Sequence, residues 1–377
     1  VSAWYWKAAE YIKDTEICVA YVSTNSITQG EQPAIFWKPL MENGIKINFA
    51  YRTFIWDSEA NIKAHVHCVI VGFSINGWKK PKKLFVDGQT KVVNNINAYL
   101  VDASDIFVES RKKPLCDVPQ IGIGNKPIDG GFYLFEKEEM DEFIQKEPLS
   151  KKYFHAWYGA REFINNCPRY CLYLANCPPS ELRKMPECMK RVESVRDYRL
   201  ASTSPGTRKI AETPTRFHVT NIPQGSYIVI PQVSSERRRY IPMGYMDEGI
   251  LCSDKVRIMP EGSLYHFGVL ESNVHMAWMR AICCRLKSDY SYTVNDVYNN
   301  FPWPDVSDEQ KEKIEKTAQA ILDARSLYPD SSLADLYDPL TMPSELRKAH
   351  IANDKAVMQA YGFNVRETSE ASCVAAL

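Results

Sequence analysis

Apolar side chains recur at helical spacing at the start of the chain, with Trp4, Ala8 and Tyr11 on one face, and predict an amphipathic helix over residues 1–13. The period then changes. ICVAYVST (17–24) is short, apolar and β-branched, and reads as a buried strand. TQGEQPAIFWKPLMEN (28–43) reads as a helix that stops at Gly44, with Pro33 in its first turn and Pro39 as an early end or kink. IKINFAYRTFIW (45–56) begins as an apolar–polar alternation, and HVHCVIVGFSI (65–75) is almost wholly apolar, so both are strands. The intervening DSEANIKA (57–64) is short enough for an antiparallel hairpin. The order helix, strand, helix, strand, strand is half of an open α/β sheet. A doubly wound domain of about 150 residues needs further strands before residue 1, and a nucleotide-type cofactor binds in that other half.

KKPKK (79–83) marks a boundary. Residues 84–305 are mixed α+β, rich in Pro, Arg and Tyr, with short strand-like runs such as SYIVIPQV (226–233). Residues 306–377 read as helical. EQKEKIEKTAQAILDARSLY (309–328) sets Ile314, Ala318, Ile321 and Ala324 on one face.

The 377 residues imply two or three domains. Lys plus Arg and Asp plus Glu both count 46, so the whole chain carries no electrostatic signature. Locally it does: residues 183–216 hold nine Lys/Arg against four Asp/Glu, and residues 305–345 hold four against ten. The 11 cysteines have no regular spacing. Neither Cys283–Cys284 nor the set Cys167, Cys171, Cys177 and Cys188 matches a zinc pattern, so reduced thiols in a cytoplasmic protein are expected, and no metal. No apolar run reaches the ~18 residues of a membrane span. The first residues, VSAWYWKAAEYI, lack the basic region and small-residue cleavage site of a signal peptide. They also lack an initiator Met, and the chain is expected to be a piece of a longer protein.

Several stretches carry candidate chemistry. STNSITQGEQ (23–32) follows a strand and precedes a helix, where the ligand crevice of an open α/β sheet lies. Ser23, Thr24, Asn25, Ser26 and Gln29 are therefore candidates to hydrogen-bond a base, a phosphate or a cofactor. Helix capping and turn formation need the same residue types, and both readings stand. Phe54 and Trp56 sit near the hairpin tip, placed either to stack on a nucleobase or to pack in a core. Arg191, Arg196, Arg199, Arg208 and Arg216 are spread among hydroxyl residues, and SSERRRYIP (234–242) holds Arg237, Arg238 and Arg239 in a row. Arginine beside Ser and Thr suits phosphate contact, and arginine also reads guanine through two hydrogen bonds, whereas a solvated basic face is the plainer alternative. IGIGNKPIDGG (121–131) has the glycines of a phosphate loop, but it follows PLCDVP and contains Pro127, which favours a turn-rich segment. His65 and His67 share a strand face, and no third ligand near them completes a metal set. No acid–base pair or activated nucleophile marks a small-molecule enzyme.

Taken in order, VSTNSITQGEQ (22–32), FAYRTFIW (49–56), HVHCVIVGF (65–73), GNKPIDGG (124–131), SSERRRYIP (234–242), HMAWMR (275–280), RLKSDYSYT (285–293), YNNFPWP (298–304) and SLADLYDPLTMPSELRKAH (332–350) resemble the C-terminal part of MmeI-like enzymes. These are DNA adenine-N6 methyltransferases of restriction–modification systems, with a target recognition domain on the same chain. The resemblance implies that residues 1–83 are the C-terminal half of a Rossmann-like methyltransferase sheet, that 84–305 are the target recognition domain, and that 306–377 are a helical tail. It implies double-stranded DNA and the N-terminal catalytic half of the same protein as partners, and S-adenosylmethionine as the cofactor of the parent but not of this piece. YNNFPWP (298–304) has an Asn, two prolines and two aromatics in six residues. Methyl transfer to a flipped adenine needs a contiguous Asn-Pro-Pro-aromatic loop after a sheet strand. Here the prolines are separated, so Phe301 and Trp303 are expected to anchor the end of the recognition domain. No Asn-Pro-Pro-Tyr occurs in the sequence, so this piece alone is expected to be inactive. The alternative is a non-catalytic DNA-specificity or protein-binding module.

Overall fold

A computed structural model of the chain describes residues 2–56, 66–86 and 88–377. The connection 57–64 and His65 lie outside the described residues. The first sheet contains β1 (Val19–Thr24), β2 (Lys46–Trp56), β3 (Val66–Ser74), β4 (Lys82–Val86) and β5 (Gln89–Val93), in the order β1-β3-β2-β4-β5. β3 lies between β1 and β2 and is antiparallel to both, as the hairpin pattern predicts for β2 and β3. β4 pairs in parallel with β2, Phe49 opposite Lys83. The sheet thus continues across the KKPKK stretch, and Ile96, Ala98 and Leu100 still pack into the same core.

The helix Ser2–Tyr11 forms as predicted but with a different buried face. Tyr5, Ala8 and Ile12 are buried, whereas Trp4 is 66% and Tyr11 76% exposed. Two apolar stripes overlap at Ala8, and contacts decide between them. The Tyr5 ring stacks on Phe73 at 5.4 Å and meets Trp37 edge-on at 5.5 Å. Its hydroxyl lies 3.0 Å from Ser23 Oγ, which satisfies a polar tip inside an apolar layer. β1 also differs from the expected buried strand. It lies at the end of the sheet order, and its side chains alternate between half-buried and exposed until Ser23. The segment 25–43 is helical in three different pitches, a 3₁₀ turn (Asn25–Thr28), a π turn (Pro33–Trp37) and an α turn (Lys38–Glu42), and ends before Gly44 at φ +89°.

The middle of the chain builds three small sheets. Their strands are β6 (Gly122–Ile123), β7 (Leu134–Phe135), β8 (Phe154–Tyr158), β9 (Arg169–Leu172), β10 (Tyr227–Pro231), β11 (Val233–Ser234), β12 (Gly244–Met246), β13 (Leu251–Cys252), β14 (Val256–Pro260), β15 (Cys284–Leu286) and β16 (Asp289–Ser291). The sheet orders are β12-β10-β14-β6, β13-β8-β9-β7 and β11-β16-β15. GNKPIDGG is the turn-rich segment that ties two of them together. Asn125 N–H donates to Cys252 O at 2.6 Å, the Asn125 side chain donates to Asn221 O and accepts from Asn221 N–H, and the Asn221 side chain donates to Ile123 O.

The tail consists mainly of the helices Asp308–Ser326 and Ser344–Ala360. Ile314, Ala318, Ile321 and Ala324 are buried, as their spacing predicts. They share one core with the helices Leu264–Leu270 and Asn273–Ile282. The approach is close: a Cβ at Gly268 would lie 2.7 Å from Ile314 Cγ2. YNNFPWP closes this core. Phe301 is buried edge-on to His275 at 4.5 Å, and Asn299 and Asn300 donate to the carbonyls of Arg111 and Glu109 at 2.8 and 2.9 Å.

A buried and a half-buried histidine make this core acid-labile. Burial pushes His275 down to about 3, and burial with nearby Lys311 pushes His266 down to about 4. Both stay neutral when folded, while the unfolded chain takes up protons near the ordinary 6.5. Their stabilisation is full above pH 6.5 and is lost as pH falls below it. At pH 4.5 the His275 loss alone amounts to about 2–3 kcal/mol. Urea midpoints measured from pH 7.5 to 4.5 should fall, and His275→Gln should flatten the fall. Equal slopes for the two proteins would rule out His275 as a source.

Candidate functional site

The C-terminal end of β1 runs into the loop 25–32, which is held from below and from the side. Trp37 Nε1 donates to Ile27 O at 3.0 Å, and Thr28 Oγ1 donates to Asn25 O at 2.9 Å. Gly30, at φ +57°, donates its N–H to Ile282 O at 2.9 Å and packs directly on Cys284 Sγ, leaving no room for a Cβ. The loop thereby docks against the β15–β16 hairpin. Between them opens a cavity of about 620 Å³. Thr24, Asn25, Ser26 and Gln29 line one side, and Arg285, Lys287, Thr293 and Asp296 the other. Hydroxyls, amides, two cations and two carboxylates, Glu31 and Asp296, face the same space. That set offers donors and acceptors to a flat polar edge such as a nucleobase.

The other crevice candidates lie elsewhere. Ser23 is buried and bonded to Tyr5, so it positions β1 and does not line the cavity. Phe54 and Trp56 lie on β2, with ring centroids 6.4 Å apart. Neither lines the cavity, although Trp56 pairs with Val66, which does.

The candidate arginines divide by environment. Arg199 is fully buried at the end of the helix Pro186–Leu200. Its Nε donates to Ile128 O, Nη1 to Ile210 O and Thr213 O, and Nη2 to Pro127 O and Arg216 O, all at 2.8–3.0 Å. A guanidinium has five N–H donors, and all five are used, so the assignment of Arg199 to DNA contact is corrected: it is a structural tie under the GNKPIDGG turn. Arg191 is half-buried, with its guanidinium 4.6 Å from the Phe135 ring centroid and a bond to Phe132 O. Arg196, Arg208 and Arg216 are exposed, and Arg208 also holds the carbonyls of Ser202 and Thr203.

Arg237 and Arg239 are exposed and Arg238 is half-buried. Asp338 lies 3.9 Å from Arg237, and Asp354 lies 3.5 Å from Arg239. All three arginines, with Arg280, line a second cavity of about 530 Å³. Glu236 separates the two cavities. It lines the second and lies 3.6 Å from His67 and 3.9 Å from Arg285, both of which line the first. β11, which leads into the arginine run, pairs with β16 of the hairpin. One three-stranded sheet therefore carries the far wall of the crevice and the root of the arginine loop.

Sequence reasoning missed Arg280, Arg285, Lys287 and Asp296 as lining residues. They form no motif in the sequence, and only the packing of the helix Asn273–Ile282, the β15–β16 hairpin and the turn Val294–Tyr298 brings them to the cavities.

The model of the MmeI target recognition domain matches residues 102–305, more than half of the chain. The chain belongs to the MmeI family. The MmeI DNA-methyltransferase domain matches residues 1–86, and the MmeI C-terminal domain residues 306–377. A type IIL restriction–modification enzyme, MmeI, solved in complex with DNA, is 45% identical and superposes with a TM-score of 0.92 over 99% of this chain and 51% of that one. DNA methyltransferase A of Bacillus subtilis (strain 168) is 42% identical over 370 residues, 98% of this chain and 42% of that protein. The chain thus spans about half the length of the MmeI relatives it matches. Among the described residues, no helix is long and apolar enough to cross a membrane.

Proposed function

We propose that this chain is the DNA-reading, C-terminal part of a sequence-specific DNA adenine-N6 methyltransferase of a restriction–modification system, working in the bacterial cytoplasm. The observation that carries the reading is the pair of polar cavities on one small sheet, in a chain 45% identical to an enzyme solved on DNA. The first sheet is the C-terminal half of a Rossmann-like methyltransferase sheet, and the N-terminal catalytic half of the same protein is its partner. Supporting this, β1 presents an edge strand, and Trp4, Tyr11 and Val22 present large apolar surface beside it. Residues from about 101 to 305 then form the recognition domain, and 306–377 brace it.

The flipped adenine enters the crevice beyond β1, where Thr24, Asn25, Ser26 and Gln29 meet its polar edge. S-adenosylmethionine, when bound in the parent, supplies the methyl group. The residues here do not form a holder for it: the loop after β1 turns with 3₁₀ and π pitch, and its Gly30 is packed on Cys284, not open to a phosphate or nucleoside. This chain on its own binds DNA and transfers nothing.

Arg196, Arg208, Arg216, Arg237, Arg238 and Arg239 have donors free for phosphates or bases, and Arg191 has fewer. Selection from a randomised duplex pool across a salt series tests the reading: enrichment of a motif with a fixed adenine is expected. Absence of binding at low salt would refute it. The triple variant Arg237→Ala/Arg238→Ala/Arg239→Ala should lower affinity at least about tenfold and reduce the salt slope by about 0.9 for each phosphate no longer neutralised. Any one of them that reads a base should, when replaced singly, relax specificity at one position by ~1–3 kcal/mol. A uniform weakening on all sequences from every single variant would exclude base reading by these residues.

A further inference from the structure

The β15–β16 hairpin has a feature that the crevice does not use. Its turn is two residues, Lys287 and Ser288, with Leu286 paired to Asp289, and Lys287 adopts φ +58°. Non-glycine residues enter that left-handed region at a cost, so the tip is held in a set shape. Arg285 braces it from within, donating to Ser288 O at 3.0 Å and lying 4.0 Å from the Tyr290 ring centroid. The base of the hairpin is fixed to the crevice loop through Gly30 and Ile282. Arg285 and Lys287 line the crevice, and Leu286 does not. Side chains alternate along a strand, so Leu286 is turned off the crevice wall. It is 59% exposed, a large apolar side chain between two cations on a rigid tip.

From this placement we propose that Leu286 is the wedge that fills the base stack when the target nucleotide leaves the duplex, while Arg285 and Lys287 take the neighbouring phosphates. The proposal rests on the reading of the crevice as the pocket for a flipped base. Extruding a nucleotide opens a gap in the stack, and an apolar side chain inserted there takes the place of the departed base. A side chain that fills the gap has to stand at the mouth of the receiving cavity and on a stiff support. Leu286 meets both conditions.

The test uses the chain joined to its proposed catalytic half, a non-reactive analogue of the methyl donor, and duplexes with 2-aminopurine at the target adenine. Fluorescence reports unstacking of that base, and anisotropy reports binding. With unaltered protein the fluorescence should rise on binding. Leu286→Ala should bind within about threefold but lose most of the rise, roughly tenfold in the flipped-to-stacked ratio, because the vacated gap stays open. An abasic site opposite the target, which removes the pairing cost, should restore the rise. Leu327→Ala, at a 63% exposed leucine on the helical tail, should behave as unaltered protein. An equal rise with Leu286→Ala and with unaltered protein would overturn the wedge alone. No rise with unaltered protein would overturn the crevice reading, and the wedge with it.

Discussion

Arg199→Met should destabilise the recognition domain by about 4 kcal/mol or more, a large share of the ~5–15 kcal/mol that holds an ordinary domain folded. The side chain reaches carbonyls in three separate segments: Pro127 and Ile128 in the turn, Ile210 and Thr213 in the short helical stretch after the basic helix, and Arg216 beyond it. Among the described residues no other side chain donates to all three segments. Methionine restores the volume but none of the donors, so buried carbonyls are left without partners, each at a cost of about 1–3 kcal/mol. Lysine should not rescue the fold. It keeps the charge but has three donors on a flexible stem, not five in a rigid plane. Arg196→Ala, on the exposed side of the same helix, should stay within about 0.5 kcal/mol of the unaltered chain. Urea unfolding of the four proteins compares them directly. If Arg199→Met unfolds within about 1 kcal/mol of the original, by the same linear extrapolation, the structural role is wrong. If it is destabilised as expected, any loss of DNA binding by Arg199→Met follows from unfolding and does not mark a DNA contact.

Arg199 also shows where sequence reasoning stops. Nothing in RVESVRDYRL separates it from Arg196, because both lie in a basic helix and look alike as candidates for phosphate. Burial separates them, and burial depends on a turn some 70 residues earlier in the chain. The local elements were legible. The strands 46–56 and 66–74, their antiparallel pairing, the stop at Gly44 and the buried stripe of the helix 308–326 all follow from short-range periodicity. The face of the first helix was not, because two stripes share Ala8 and only Phe73 and Ser23 choose between them. Thr24, Asn25, Ser26 and Gln29 were legible as crevice residues because the rule that places ligands beyond strand ends needs only the order of elements. Their opposite wall was not. Arg285 and Lys287 reach the cavity on a hairpin, and Asp296 on the turn after it, more than 250 residues away in sequence, and no local pattern carries that information. Ser23 failed as a lining residue for the reverse reason: alternation along β1 turns it inward to Tyr5, one position before the side chains that line the cavity.

The second large effect is expected where the helical tail meets the recognition domain. Arg325, on the helix Asp308–Ser326, is buried against Glu271, at the end of the helix Leu264–Leu270, with Nη2 to Oε1 at 2.9 Å. Arg325 Nη1 donates to Met243 O at 2.6 Å, and Nε and Nη2 donate to Tyr337, whose hydroxyl lies 2.8 Å from His350 Nε2. His350 stacks on Tyr240, Tyr240 donates to Asp354 at 2.7 Å, and Asp354 lies beside Arg239 of the arginine loop. The tail thus holds the arginine loop through a continuous polar chain. Arg325→Met leaves Glu271 buried without a counter-charge and should cost about 3–5 kcal/mol at pH 8. Arg325→Met/Glu271→Gln should recover more than half of that, because the amide oxygen still accepts from Met243 N–H, now 2.7 Å from Glu271 Oε1, and no lone charge remains.

The pH dependence of the deficit separates an unpaired charge from a simple packing loss. Burial raises the Glu271 carboxyl to about 7 in the intact protein, although Arg325 and the Met243 N–H oppose the shift. A carboxyl raised on folding stabilises below its unfolded pKa and loses that contribution as pH climbs through the folded value. Without Arg325 the folded value rises further, so the loss continues above pH 7. At pH 5 Glu271 is protonated in both folded proteins, and the deficit of Arg325→Met relative to the intact chain should shrink by about 1–3 kcal/mol. The acid lability of His275 and His266 is common to both and cancels in the difference, whereas His350, which burial and the Arg325 charge hold well below the usual imidazole range, shrinks the deficit in the same direction. A deficit that does not change between pH 5 and pH 8 would mean that the cost is impaired packing and hydrogen bonding around Arg325. In that case the double variant should recover nothing.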